Sequence, residues 1–142
     1  ADCSIFPAHH AHGGFPSYGK GEPAIIEYNG CYIREFPVCT KKVFGKHVVF
    51  CGGGYFRLFP YSLIKKWTRE QQDFVLSYIH PRDLDAGQPM IKGLPFERRF
   101  RSYVGLRRAE NKFRRYLSDF NFIDIAEASE YIDWDKVRKI KL

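Results

Sequence analysis

The chain has 142 residues, of which 44% are apolar and 17% aromatic; this is enough to bury one hydrophobic core and excludes a wholly disordered chain. No apolar run reaches the ~20 residues of a membrane-spanning helix, and no signal peptide is visible. The formal net charge of +7 indicates an anionic partner without selecting nucleic acid, polymer or membrane surface. Because the chain begins at "ADCSIFP" without methionine, we expect a processed product or a piece of a longer protein.

Residues 7–23 predict a loop, because Gly and Pro recur there too often for regular structure. The loop contains three histidines whose imidazoles could bind a transition metal: His9, His10 and His12. Only Asp2 and Cys3 offer further ligand atoms nearby, so a solvated loop is the favoured interpretation. The four cysteines form no C-x-x-C pair, which makes a zinc ribbon or thioredoxin motif unlikely and favours buried free thiols.

Two β-rich runs, 24–28 and 32–36, predict strands, and Asn29-Gly30 between them predicts a tight hairpin. "HVVFC" (47–51) predicts another strand. The three glycines at 52–54 lack the spacing of a phosphate-binding loop and favour a sharp turn.

Pro60 suits the first turn of a helix over residues 61–72. The run "DFVLSYI" (73–79) predicts a strand buried on both faces. Residues 81–100 read as an irregular connector, because Gly and Pro recur there. Strands that alternate with helices place the chain in the α/β or α+β class.

The clearest helix is predicted over residues 103–120, and Glu110 can pair with Arg114 on it at i,i+4. Its apolar stripe has helical spacing: Leu106, Ala109, Phe113, Tyr116, Leu117 and Phe120. "FNFIDI" (120–125) predicts a short strand, followed by a helical tail with Trp134.

A basic cluster with interleaved Phe100 and Tyr103 could follow a phosphate backbone. Its members are Arg98, Arg99, Arg101, Arg107, Arg108, Lys112, Arg114 and Arg115. Because the spacing also fits a solvated helix face, we do not expect specific binding of nucleic acid.

His80, in "YIHPRDLDAGQP", is the strongest single candidate for chemistry. It follows the predicted strand 73–79, and ligands bind at the C-terminal edge of α/β sheets. Imidazole can give or take a proton near neutral pH. Position alone leaves a catalytic and a hydrogen-bonded structural histidine both open.

Four segments together carry a family resemblance. "DCSIFPAHHAHGGFPSYGKGEP" is followed by "FCGGGYFRLFPYSLI", "YIHPRDLDAGQP" and "FRSYVGLRRAENKFRRYLSDFNFIDI". In this order they resemble the C-terminal region of polysaccharide deacetylases of the NodB-homology, carbohydrate esterase family 4 type, in a subgroup found with exopolysaccharide gene clusters. The resemblance runs to about Ala126. It implies a single domain over residues 1–142, the C-terminal half of a distorted (β/α) barrel with an additional helix–strand segment.

The resemblance implies a hydrolase that removes acetyl groups from N-acetylated sugars with the help of a divalent metal, commonly zinc. The family's late histidine, which protonates the leaving amine, matches His80, and Ile79 would line the pocket for the acetyl methyl. Asp2 falls near the motif whose acid orients that histidine. By their position after the glycine turn, three residues are expected to line the sugar groove: Tyr55, Phe56 and Arg57.

Several family motifs do not occur in this sequence. T-F-D-D, which supplies the catalytic base and one metal ligand, is absent, as are the H-x-x-x-H pair and the R-x-P segment. "HPRDLD" stands where the subgroup has H-P-W-E-x-D, with Arg82 in the aromatic position. We therefore expect no metal in this chain alone and no hydrolysis by it, because half a metal site gives no activated water.

The expected function is thus the C-terminal portion of a polysaccharide deacetylase that an upstream half of the same protein completes. The alternative is a non-catalytic carbohydrate-binding or assembly module of exopolysaccharide biosynthesis. The expected partners are a polysaccharide or oligosaccharide and a second copy of the chain, which would cover the apolar surface facing the missing half. The compartment stays open between the cytoplasm and the cell envelope of a bacterium.

Overall fold

The computed structural model describes residues 1–3, 5, 15, 18–19, 21–71 and 74–142. The protein is mixed α/β, with two small sheets and several helices in this part of the chain. The elements are β1 (Ala24–Tyr28), β2 (Cys31–Glu35), β3 (Lys41–Val43), β4 (Lys46–Val48), α1 (Gly53–Leu58), α2 (Tyr61–Arg69), a 3-10 turn (Pro81–Asp83), α3 (Phe96–Tyr103), α4 (Leu106–Asp119), α5 (Ile125–Glu130) and β5 (Arg138–Lys141). His9, His10 and His12 lie outside the described residues. Over those residues, no helix is long and apolar enough to cross a membrane.

The predicted hairpin is confirmed, with its second strand one residue earlier than expected. β1 and β2 pair antiparallel, and Tyr28 lies opposite Cys31. Asn29 and Gly30 have φ of 49° and 76°, the left-handed pair that a tight two-residue turn requires. β5 adds to β1 in parallel, so the predicted helical tail is wrong at its end: "RKIK" satisfies its backbone groups in the sheet rather than in a helix.

The main core lies between α1, α2 and α4. Its buried members are Cys39, Phe50, Cys51, Phe56, Ile64, Trp67 and Tyr116. The predictions of α2 after Pro60 and of α4 are confirmed, and Arg114 pairs with Glu110 at 2.8 Å. Leu117 is exposed and leaves the predicted stripe. The half-barrel that the resemblance implies is not seen in the described part of the chain, where β1 is flanked by one antiparallel and one parallel neighbour.

The prediction of a buried strand over 73–79 is wrong for residues 74–79, which cross the core as an extended segment with only an isolated bridge at Tyr78. Here the thiols of two buried cysteines make the backbone hydrogen bonds that a neighbouring strand would otherwise make. Cys39 Sγ accepts from Leu76 N at 3.4 Å and donates to Phe74 O at 3.3 Å, and Cys51 Sγ donates to Leu76 O at 2.9 Å. The side chains of this segment are half-buried except that of Tyr78, which is exposed, because a helical core rather than a second sheet covers them.

Four other segments differ from the predictions. Helix α1 begins at Gly53, where a sharp turn was expected over 52–54. The strand predicted over 47–51 is β4, Lys46–Val48, which pairs with β3 across Phe44 and Gly45, both at positive φ. No strand occurs over 120–125, because Asp124 caps α5 by accepting from Glu127 N at 2.8 Å. Helix α3, Phe96–Tyr103, begins within the connector predicted over residues 81–100.

Two cations, the buried Arg57 and the half-buried Lys112, cap the C-termini of helices other than their own. Lys112 Nζ on α4 donates to the carbonyls of Phe56, Arg57 and Phe59 at the end of α1, at 2.9, 2.9 and 2.7 Å. Arg57 on α1 donates to the last carbonyls of α3, those of Arg101, Ser102 and Val104, at 2.8–3.2 Å. Positive charge at helix C-termini is favourable, because the last carbonyls lack intrahelical partners.

Candidate functional site

His80 lies on an exposed corner between the extended segment and the 3-10 turn. Its ring packs edge-on against Tyr78 at 4.7 Å between centroids, and Nε2 lies 2.8 Å from the Tyr78 hydroxyl. His80 and Asp83 also form a capping box, in which the His80 side chain faces the Asp83 backbone N–H. The corner therefore presents an imidazole whose orientation is set by Tyr78 and by the turn that follows it.

The backbone beneath His80 is held by a buried ion pair. Asp83 Oδ2 accepts from His80 N at 3.1 Å, and Asp83 N donates to His80 O at 2.8 Å. The other oxygen, Oδ1, lies 3.2 Å from Arg57 Nε. Both side chains are buried, at 8% and 6% exposed. Burial lowers the pKa of Arg57, while Asp83 acts in the opposite direction, so a charged guanidinium is stabilised here by its carboxylate and three carbonyls.

Close backbone contact fixes the same corner from the other side. Gly53 N donates to Tyr78 O at 3.2 Å. A Cβ added at Gly52 would lie 2.3 Å from that carbonyl oxygen, which is too close for any side chain. The glycine run therefore serves close packing of α1 against the His80 segment.

The residues expected to line a sugar groove are placed differently from one another. Phe56 is 1% exposed in the main core and Arg57 is the buried cap of α3, so neither ring nor guanidinium is at a surface. Tyr55 is half-buried and stacks on Phe59 at 5.9 Å between centroids. Ile79 is half-buried and packs against the main core. Of this set, Tyr55 and Ile79 retain accessible surface.

Asp2 lies beside β2, on the three-stranded sheet. Its N–H donates to Arg34 O at 2.7 Å, and its carbonyl accepts from Phe36 N at 2.8 Å. The adjacent Glu35 is fully buried. Burial raises the pKa of Glu35, and the Asp2 carboxylate raises it further. The structure thus brings Asp2 to Glu35, while it brings His80 to Tyr78 and Asp83.

The described residues contain no group of three or more His, Cys, Asp or Glu side chains that could hold a metal ion. The side chains near His80 are a tyrosine and an ion-paired aspartate, which do not form the ligand set that zinc requires. The donors present therefore do not fit a resident metal, and we assign no step through a metal to them.

Two residues of this site were not singled out from the sequence: Tyr78 and Asp83. Asp83 follows His80 by three residues after a proline, the spacing at which a carboxylate caps a short turn, so this role was readable. Tyr78 alternates with His80 on one side of an extended segment. The Arg57–Asp83 pair joins residues 26 apart in the chain, and no local pattern indicates it.

These features define a small α/β domain that presents a fixed, exposed imidazole above a buried Arg–Asp pair. The chain belongs to the DUF3473 family, described as a domain of unknown function, which matches residues 3–130. No curated protein and no solved structure matches the chain.

Proposed function

We propose that this chain is the C-terminal portion of a metal-dependent polysaccharide deacetylase that removes N-acetyl groups from amino sugars, with His80 as the general acid. The observation that carries the proposal is the corner at His80, which is exposed yet held at its ring by Tyr78 and at its backbone by Asp83. A proton donor needs such fixed geometry, because general acid catalysis depends on hydrogen-bond reach to the leaving atom.

The role of this chain in the reaction is to deliver a proton to the departing amine. The charged imidazolium can give a proton to the amine, and the contact between Nε2 and the Tyr78 hydroxyl keeps the ring in place. The Arg57–Asp83 pair acts as a positioning element beneath it. In the proposal, the metal and the catalytic base belong to the upstream half of the protein, and Asp2, Ile79 and Tyr55 support substrate or histidine from this half.

The test is acetate release from an N-acetylglucosamine tetramer by the protein that joins this chain to its upstream half. His80→Ala should lower kcat by about 10²–10⁴, the range typical for loss of a general acid. His47→Ala is the matched control, because His47 is an exposed histidine on β4 whose Nδ1 contacts only Thr40 Oγ1 among the described residues. The control should keep the parent rate.

Unchanged turnover in His80→Ala would contradict the assignment. Saturable binding of the tetramer with no acetate release, in a protein that holds its metal, would instead select the non-catalytic carbohydrate-binding or assembly module. Circular dichroism of each variant separates loss of chemistry from loss of fold.

A further inference from the structure

A cleft of about 600 Å³ lies between α2 and the last turn of α4, away from the residues placed around His80. It is lined by Tyr61, Ser62, Lys65, Lys66, Arg69, Glu70 and Arg115. Four of these seven residues are cations. This composition favours binding of an oxyanion over binding of an uncharged sugar, because Arg and Lys donate hydrogen bonds to carboxylate and phosphate oxygens.

The cleft has more positive charge than its own carboxylates neutralise. Asp119 pairs with Lys65 at 2.7 Å and with Arg115 at 3.9 Å. Glu70 pairs with Lys41 at 2.6 Å and with Lys66 at 3.8 Å. Arg69 makes no ion pair with the residues that the structure describes. Among the described residues at and beside the cleft, five cations (Lys41, Lys65, Lys66, Arg69 and Arg115) therefore share two carboxylates, an excess of three positive charges.

Tyr61 organises the wall of the cleft. The Arg115 guanidinium lies over the Tyr61 ring at 4.6 Å, and the Tyr61 hydroxyl bonds the Asp119 carboxylate. Because Asp119 also holds Lys65, both cations are fixed before any ligand arrives, which lowers the ordering cost of binding. The covered ring cannot stack on a base, and base stacking is a main contributor to single-strand nucleic acid binding.

We propose that this cleft binds the carboxylate or phosphate groups of an anionic glycan. The inference rests on the proposed function for its ligand class, since it names the kind of polysaccharide that the protein engages. Lys66 and Arg69 are the ligand-facing cations, because both are exposed on α2. Lys66 has only a long contact with Glu70, at 3.8 Å, and Glu70 is already paired with Lys41 at 2.6 Å. Asp119, in contrast, holds Lys65 at 2.7 Å.

The experiment is calorimetric titration of the 142-residue chain with a galacturonic acid tetramer and, separately, with inorganic pyrophosphate. The double variant Lys66→Gln/Arg69→Gln should weaken binding by about tenfold or more, because hydrogen bonds to charged groups are lost. Arg98→Gln/Arg99→Gln is the matched control: it removes the same net charge from exposed residues of α3, outside the cleft. The control should keep the parent affinity, and the anion that binds identifies carboxylate or phosphate.

Equal weakening in both double variants would overturn the proposal, because it would show attraction to the overall charge alone. No binding of either anion would also overturn it, as would tighter binding of a deoxyoligonucleotide through Lys66 and Arg69. If acetate release fails while the cleft still binds an anion, the proposed function is wrong and the anion site stands.

Discussion

Glu35 is a carboxyl group that the fold buries completely at the end of β2. Its Oε1 accepts from Ile5 N at 2.9 Å, which favours the charged form, yet burial and the neighbouring Asp2 raise its pKa. A raised pKa means that the folded state binds more protons than the unfolded state above the ordinary value of 4.5. The free energy of unfolding therefore falls as pH rises from about that value through the folded pKa.

Glu35→Gln should be more stable than the parent at pH 7, because the amide keeps an acceptor for Ile5 N and carries no charge to bury. Urea denaturation between pH 4 and 8 measures this, and the variant should show a flatter dependence on pH. Glu27→Gln is the control: Glu27 is on the same sheet and pairs with Lys141 at 3.8 Å. If Glu35→Gln is less stable than the parent at pH 7, the folded protein stabilises the charged carboxylate more than the neutral amide, which contradicts the prediction.

Helix α4 meets α1 through Gly105, the residue that precedes its first turn. Gly105 has φ of 72°, and an added Cβ would lie 2.4 Å from Arg57 O. Gly93 has a similar φ of 79°, with nothing within 4 Å of an added Cβ. Substitution of the two glycines therefore distinguishes the free-energy cost of a left-handed backbone from the added cost of a clash between the new side chain and α1.

Gly93→Ala should lower the free energy of unfolding by about 1–2 kcal/mol, the cost of a left-handed alanine. Gly105→Ala should lose about 1–3 kcal/mol more, because the methyl group forces α1 and α4 apart. Chemical denaturation of the two variants gives the difference directly. Equal losses would show that α1 moves away from Gly105 without cost.

At the scale of the whole molecule, the described surface carries large apolar side chains that a monomer leaves in water. They include Phe96 at 83% exposed, Ile91 at 58% and Met90 at 55%, close together in the chain. Because contiguous exposed apolar surface is typical of interaction sites, we expect a second copy of the chain to cover these side chains. Sedimentation velocity over a range of concentrations should show reversible self-association of the 142-residue chain, and Phe96→Ser should reduce it. A single monomeric species at the highest concentration would contradict this expectation.

The sequence predicted the elements whose reasons are local. Asn29-Gly30 dictates the hairpin, Pro60 starts α2, and the apolar spacing of α4 fixes its buried face. The sequence did not predict the segments whose conformation depends on tertiary contacts. Residues 74–79 are as apolar as a strand, but thiols of Cys39 and Cys51 take their backbone bonds.

For the candidate site, His80 could be chosen from position and resemblance, and its role stays a prediction. Its supports could not be chosen in full, because the partner of Asp83 is Arg57, which lies on another helix. Phe56 and Arg57 were expected at a groove by sequence proximity to the glycines. In helix α1 both side chains instead point into the protein, where Phe56 packs in the main core and Arg57 caps the end of α3.

The two cationic caps make the stability of one helix depend on the presence of another. The end of α1 is satisfied by Lys112 of α4, and the end of α3 is satisfied by Arg57 of α1. Short helices are marginal in water without tertiary support, so the end of α3 depends on α1, and the end of α1 depends on α4. We therefore expect these helices to melt together rather than one by one. The His80 corner belongs to the same series, because Asp83 holds the backbone of His80 and is itself paired with Arg57.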